Sequence, residues 1–325
     1  MSAQDRADLI DKLEKIGWDR KRALKDLGIP VSTYYNWKTS YRKNGIIGLE
    51  KRKPVANRVW NRLLESERST VLRKAKDHPE LSPRLLAIKI TDEDGFNISE
   101  STVYRILKEA NLIAPRPLEE MPASQEWHKK TTRVDEIWQC DATHMFVAGW
   151  GYYKYIPVLD DFSRKVLSDE LHPDETAFSI SDAIEIAHET AINEGHSLNP
   201  PPVLLTDNGA GFVSDILAGY LKRYGIRQIH GKPYHPQTQG KVERFNRTIK
   251  QKTTYLIVYC SPEDLRQSIK QAVAEYNARP HESLQNVSPN DVYAGRKEEI
   301  LKRRADLKKL TLERRKKYNL AIKAH

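Results

Sequence analysis

From Val134 onward the apolar residues stop recurring at helical spacing and gather into short runs. Ile137 to Thr143 is one such run, Gly151 to Leu159 is rich in Tyr, Ile and Val, and Lys165 to Leu171 alternates. Three strands are predicted, joined by tight connections at Ala148-Gly149 and Asp161 to Ser163. A helical stretch from about Glu175 to Glu194, a strand at Val203 to Thr206, a helix near Ser214 to Tyr224 and a strand at Arg227 to Ile229 follow. This order points to an α/β fold around a mixed sheet. After the polar loop HGKPYHPQTQG, two long helices are predicted over Lys241 to about Cys260 and Pro262 to Tyr276.

The residues ahead of this core read as helices. Leu9, Ile10, Leu13 and Ile16 form a stripe of helical spacing, and Asp19 can cap a second helix that Gly28 ends. Ser32 can cap a third helix, so that Ala23, Leu24, Leu27, Ile29 and Val31 would pack a small core. Such a helix-turn-helix presents Ser32, Thr33, Tyr35, Asn36, Lys38 and Arg42 to a DNA groove, unless the unit is a plain three-helix interaction module. A second unit of the same kind opens at Ser82-Pro83 and continues from a cap at Ser99, with Arg105 turned outward for phosphate. The boundaries predicted are a helix-turn-helix over 1–50, a basic linker helix over 51–75, a second helix-turn-helix over 76–114, a linker over 115–133, the α/β core over 134–295 and a basic tail over 296–325.

Charge is distributed along the same boundaries. Residues 1–133 carry a net +8, residues 134–295 a net −6 and residues 296–325 a net +8, out of +10 for the whole chain of 325 residues. Basic flanks attract polyanions, double-stranded DNA first among them, although solvated helix faces give the same count. The tail, with twelve Lys or Arg, either meets DNA backbone or folds onto the core. No apolar run approaches the ~18–20 residues of a membrane span, and the start lacks the apolar core of a signal peptide, so a cytoplasmic protein with no membrane partner is expected. The two cysteines, Cys140 and Cys260, are too few and too far apart for a CxxC zinc module, which leaves oxygen or imidazole for any metal.

Three carboxylates stand out by position. Asp141 lies near the end of an apolar strand, Asp207 follows Val-Leu-Leu-Thr and precedes Asn208-Gly209, and Glu243 lies one turn into a helix opened by Gly240. Each alone can be a turn or cap residue. Together, on strand tips and a helix start, they can converge at one sheet edge, where a divalent cation relieves their mutual repulsion. Oxygen ligands favour Mg²⁺ or Mn²⁺, and two such ions would serve both sides of a phosphodiester.

The segments WQCDAT, LTDNGAGF and HPQTQGKVERFNRTIK, with 35 residues between Asp207 and Glu243, closely resemble the catalytic motifs of DDE recombinases of the retroviral-integrase superfamily. YNARPHESLQNVSP resembles the ending found in bacterial insertion-sequence transposases. The resemblance implies a ribonuclease H-like core and a metal-binding triad of Asp141, Asp207 and Glu243. It also implies cleavage and strand transfer at transposon terminal inverted repeats by a homo-oligomer in a bacterial, nucleoid-associated setting. Arg247 and Lys250 share a helix face with Glu243, and Lys250 stands where family members carry a basic residue toward the terminal DNA. Arg247 can equally pair with Glu243. Lys241 is a further candidate for DNA contact, and Asn208, Gly209, His235, Gln237 and Gly240 match the motifs as loop formers or DNA contacts, Asn208 and Gln237 foremost for DNA. The zinc domain that opens retroviral integrases has no counterpart in these two cysteines.

Overall fold

The computed structural model describes residues 1–15, 19–50, 60–113, 131–230 and 240–321. The chain divides into two compact units, Met1–Arg62 with Asn319–His325, and Leu63–Tyr318.

In the first unit, α1 (Ala3–Lys15), α2 (Arg20–Asp26) and α3 (Val31–Asn44) lead into a 3-10 turn at Gly45–Leu49. Ala7, Ile10, Leu13, Leu24, Tyr34 and Leu49 form the core. Two expected core residues are exposed, Leu27 at 55% and Val31 at 38%. Gly28, at φ +65°, turns the chain after α2; Ala23, Leu24 and Ile29 pack the core as expected, and Tyr34 joins them. Ser32 does not cap α3, because Pro30 occupies the cap position and Ser32 already lies within the helix. Asp19 stands at the cap of α2 but makes no side-chain cap bond, and Ile16 lies outside the described residues.

The second unit opens with α4 (Glu65–Asp77), α5 (Pro83–Glu93) and α6 (Glu100–Glu109) around Val71, Leu86, Ile90, Val103, Ile106 and Leu107. The Ser82 and Ser99 hydroxyls accept from the Leu85 and Thr102 N–H groups, so both predicted caps are present. A linker helix was expected to end at residue 75. The helix found there, α4, is instead a full member of this three-helix core, since Val71 is completely buried in it.

The sheet comprises β1 (Ile137–Cys140), β2 (Thr143–Val147), β3 (Gly151–Asp160), β4 (Val166–His172), β5 (Val203–Thr206) and β6 (Arg227–His230). Its order is β2-β3-β1-β5-β6, with β4 on the other side of β3. Strands β1, β5 and β6 run parallel, while β3 is antiparallel to β1, β2 and β4. The run read as one strand over Ile137 to Thr143 breaks at Asp141-Ala142 and yields a fourth early strand, β2.

Helices cover both faces. One face packs Trp138, Cys140, Ile156 and Val158 against α7 (Ala177–Asn193), α8 (Asp215–Arg223) and Tyr293. The other packs Met145, Val147, Tyr155 and Leu159 against α9 (Gly240–Lys252) and α10 (Pro262–Ala278). Helix α9 stops eight residues short of the expected Cys260. Thr253 turns its hydroxyl back to the Ile249 carbonyl, and the β-branched run that follows has little helical preference.

A short α11 (Pro289–Tyr293) precedes α12 (Lys297–Ala321). Within the second unit this basic tail folds onto the helical module. Arg304 forks onto Asp92 at 2.8 and 2.6 Å, Arg314 and Arg315 reach the buried Glu67, and Thr311 Oγ1 accepts from the Asn97 N–H. Among the described residues, no helix is long and apolar enough to cross a membrane.

Candidate active site

Strand alternation places the first two carboxylates. Trp138 and Cys140 enter the α7 face, so Gln139 and, one pleat on, Asp141 belong to the α9 face. The parallel register pairs Gln139 with Leu205, and continuing it by two residues sets Asp141 beside Asp207. Both thus stand at the carboxyl ends of adjacent parallel strands, where α/β sheets open their ligand crevices.

The electrostatics agree with this placement. Burial first, and then the charge of Asp207, pushes the Asp141 carboxyl up to about 6; Glu243 and Glu175 add to the rise, and a hydrogen bond from Asn246 opposes it. The thiol of the buried Cys140 is also raised, chiefly by burial and then by Asp141, Asp207 and Glu175. Partial burial on α9 raises Glu243 as well. Lys250 is lowered by burial, while the Asp141 charge holds its proton. Asp141, Asp207, Glu243, Glu175 and Lys250 therefore act in one field. Among the described residues, no group of three His, Cys, Asp or Glu side chains is gathered closely enough to hold a metal ion.

Helix α9 is tied to the sheet beneath Glu243. The Val242 N–H donates to Gln139 Oε1 at 3.2 Å, and Gln139 Nε2 donates to Asp161 Oδ1 at 2.6 Å. Lys241 donates to the Asp161 backbone carbonyl and to Oδ2 at 3.0 and 2.6 Å. One turn on, Asn246 Nδ2 donates to Asp141 Oδ2 at 2.8 Å. Lys241 was expected at DNA, but its ammonium is committed to Asp161, a side chain that the fold has already buried.

A fourth carboxylate, Glu175, borders the loop that carries Asp207. The Gly209 N–H donates to Asp207 Oδ1 at 2.9 Å. A Cβ on Gly209 would lie 3.1 Å from both Asp207 Oδ1 and Glu175 Oε1, and one on Gly211 would lie 2.5 Å from the Glu175 carbonyl. At Gly211 only a glycine allows this approach, while a side chain at Gly209 would need the two carboxylates to yield slightly. Lys154 holds the other Glu175 oxygen at 2.6 Å.

The remaining predicted residues divide by surroundings. Arg247 and Asn208 are exposed, as is Arg105 on α6, whose guanidinium donates to the Ser101 carbonyl and to Thr102 Oγ1. On α3, Ser32, Tyr35 and Asn36 are exposed and Thr33 is half-buried. Lys38 and Arg42 both pair with Glu14, at 2.7 and 3.0 Å, which binds the predicted DNA cations to α1. Gln237 and His235 lie outside the described residues. Sequence reading missed Gln139, Asp161, Asn246, Lys154 and Glu175. Only Gln139 and Asn246 carried a signal, as polar residues within the otherwise apolar faces around the motif acids.

Comparison with known proteins returns the integrase core domain at residues 131–236 and again at 224–289, and homeodomain-like domains at 1–50 and 33–107. The chain is 31% identical over 123 residues to the Pol-related polyprotein of the mouse intracisternal A-particle MIA14, covering 38% of this chain and 13% of that one. It is 35% identical over 120 residues to the Pol polyprotein of equine infectious anemia virus (isolate 1369), covering 37% of this chain and 9% of that one. The chain therefore spans about a tenth of the length of these curated relatives. Among solved structures, the HTLV-2 integrase catalytic core domain in complex with magnesium (trimeric form) is 23% identical at a TM-score of 0.39, over 50% of this chain and 97% of that one. The simian T-cell lymphotropic virus intasome in complex with PP2A regulatory subunit B56 gamma is 20% identical at 0.43, over 68% and 74%.

Proposed function

From a chain that carries a ribonuclease H-like integrase core behind homeodomain-like helix-turn-helix domains, we propose a DDE transposase of the insertion-sequence kind. It binds terminal inverted repeats and carries out metal-dependent strand cleavage and strand transfer as a homo-oligomer. The observation that carries this reading is that Asp141 and Asp207 directly follow the adjacent parallel strands β1 and β5, with Asn246 bonding Asp141 one turn along from Glu243 on α9.

The donor set suits a hard divalent cation, because it offers carboxylate oxygens whose desolvation and like charge already raise Asp141 to about 6. Asp141 and Asp207 would hold Mg²⁺ or Mn²⁺, with Glu243 completing the set. Such ions lower the pKa of an attacking water or 3′-hydroxyl and stabilise the leaving oxygen. The chain's own residues do the placing: Asn246 orients Asp141, the Asp207–Gly209 turn fixes the second carboxylate, and Gln139 with Asp161 holds the start of α9. Lys250, half-buried in the Asp141 field, is placed to meet a phosphate.

The test incubates the protein and Mg²⁺ with labelled duplexes from the DNA flanking its gene, plus a plasmid target. Joined products are expected, and Glu243→Gln should abolish them while binding persists. Cleavage without joining would make the protein a nuclease, and binding without either a regulator. Strand transfer retained in Glu243→Gln would remove the metal-site assignment.

A further inference from the structure

We propose that Gln228 is a positioning residue for Asp207, its amide clasping both ends of the turn that carries this carboxylate. The proposal rests on the reading of Asp207 as a metal-binding acid. Gln228 belongs to β6, and the parallel register sets it beside Leu204 of β5, so its side chain shares a sheet face with Thr206 two residues on. Its Nε2 donates to Thr206 Oγ1 and to the Phe212 carbonyl, each at 2.9 Å. A side-chain amide nitrogen carries two hydrogens. Here each holds a different end of the turn.

From these two anchors the bonds run on to Asp207. On one side, the buried Thr206 hydroxyl donates to the Asp207 carbonyl at 3.1 Å, and His230 Nδ1 lies 3.0 Å from the same oxygen. On the other, the Phe212 N–H donates to the Gly209 carbonyl at 2.9 Å, and the Gly209 N–H donates to Asp207 Oδ1 at 2.9 Å. Phe212 is itself buried in the core shared with α7 and α8, so this side of the clasp ends on a packed support.

The turn cannot supply such order unaided. It lies between β5 and α8, outside regular structure, and it carries glycines at 209 and 211 where Glu175 approaches closely. Glycine leaves a backbone its greatest freedom, whereas a carboxylate that serves a cation must be held to within about half an ångström by its neighbours. Gln139 ties down the start of α9 beneath Glu243. Gln228 does the same for the turn that ends in Asp207 Oδ1.

The test compares Gln228→Leu, which removes both donors, and Thr206→Val, which removes the hydroxyl at nearly the same shape, with Thr206→Ser, which keeps it. Amide hydrogen exchange across residues 207–213, in the full chain without metal or DNA, should quicken by about tenfold or more in the first two and not in Thr206→Ser, while the amides of β1 and β5 stay protected. Mn²⁺ affinity, read from the paramagnetic resonance of the free ion, should fall by about 10–100-fold in the same two variants. Where Gln228→Leu loosens the whole sheet, Thr206→Val decides. Unchanged exchange would overturn the clasp, and faster exchange with unchanged Mn²⁺ affinity would reduce Gln228 to packing and overturn its positioning role. A wild type that binds no Mn²⁺ would sink the metal reading of Asp207, and the exchange result would still decide whether Gln228 holds the turn.

Discussion

At the scale of single residues, the site depends on how the fold loads Asp141. Desolvation contributes most to its raised pKa and the Asp207 charge comes next, so the two are separable by substitution. In Asp207→Asn the Asp141 carboxyl should titrate below about 6 yet stay above its ordinary 3.8, because burial remains. In Asn246→Ala it should titrate higher, because the hydrogen bond that favours the charged form is gone. Carboxyl ¹³C NMR shifts against pH check both, and a fall in Asn246→Ala would show that the bond at 2.8 Å does not form. Gln139 works at a distance from the acids. Gln139→Leu leaves the Val242 N–H and Asp161 short of a partner, at a cost of about 1–3 kcal/mol. If Gln139 positions Glu243, strand transfer should drop far more than urea-measured stability, with end binding retained. A drop that only follows the unfolded fraction would limit Gln139 to packing.

At the scale of elements, what was legible in the sequence and what was not divide by locality. The strand tip at Asp207 and the caps at Ser82 and Ser99 are written in a few neighbouring residues, and they stand as read. The break that makes β2 and the early end of α9 needed tertiary context. Gln139 to Val242, Lys154 to Glu175 and Glu67 to Arg315 join positions that no local pattern connects. The last of these clamps α12. Glu67 and Arg315 are both buried, so Glu67→Ala strands a buried guanidinium and should cost about 3–5 kcal/mol. Hydrogen exchange across residues 297–318 should rise in that variant; unchanged protection would mean that Arg304 and Thr311 hold the helix unaided. The segment ahead of α11 adds a pH response. Burial and then the charges of Arg164, Arg84 and Arg244 lower His281 to about 4. Between pH 6.5 and 4 the unfolded chain takes a proton that the fold refuses, so this contribution is complete above 6.5 and is lost as pH falls. Asp160, raised to about 6 chiefly by burial, acts in the opposite sense. The comparison is therefore with His281→Gln, which should gain stability on the wild type as pH falls from 7 to 4. A constant difference between the two would rule out the lowered pKa.

At the scale of the whole molecule, net charge overstates the cations available to DNA. The two flanks together carry +16 against −6 for the core. The structure shows where part of that charge goes: Arg304 lies on Asp92, Arg314 and Arg315 on Glu67, and Lys38 and Arg42 on Glu14. A cation held by a carboxylate neutralises a phosphate only after giving up that partner. The tail, committed to the helical module, should therefore add less to DNA affinity than its twelve basic residues suggest, and the first unit should be the more responsive. Each phosphate neutralised steepens the fall of log K with log salt by about 0.9. Glu14→Gln removes the shared partner of Lys38 and Arg42 without touching the core residues of that unit. It should tighten binding to non-specific duplex DNA and steepen the salt dependence by about one to two phosphates' worth. Fluorescence anisotropy across a salt series measures both quantities. An unchanged slope would mean that the face of α3 carrying Lys38 and Arg42 does not meet the DNA backbone.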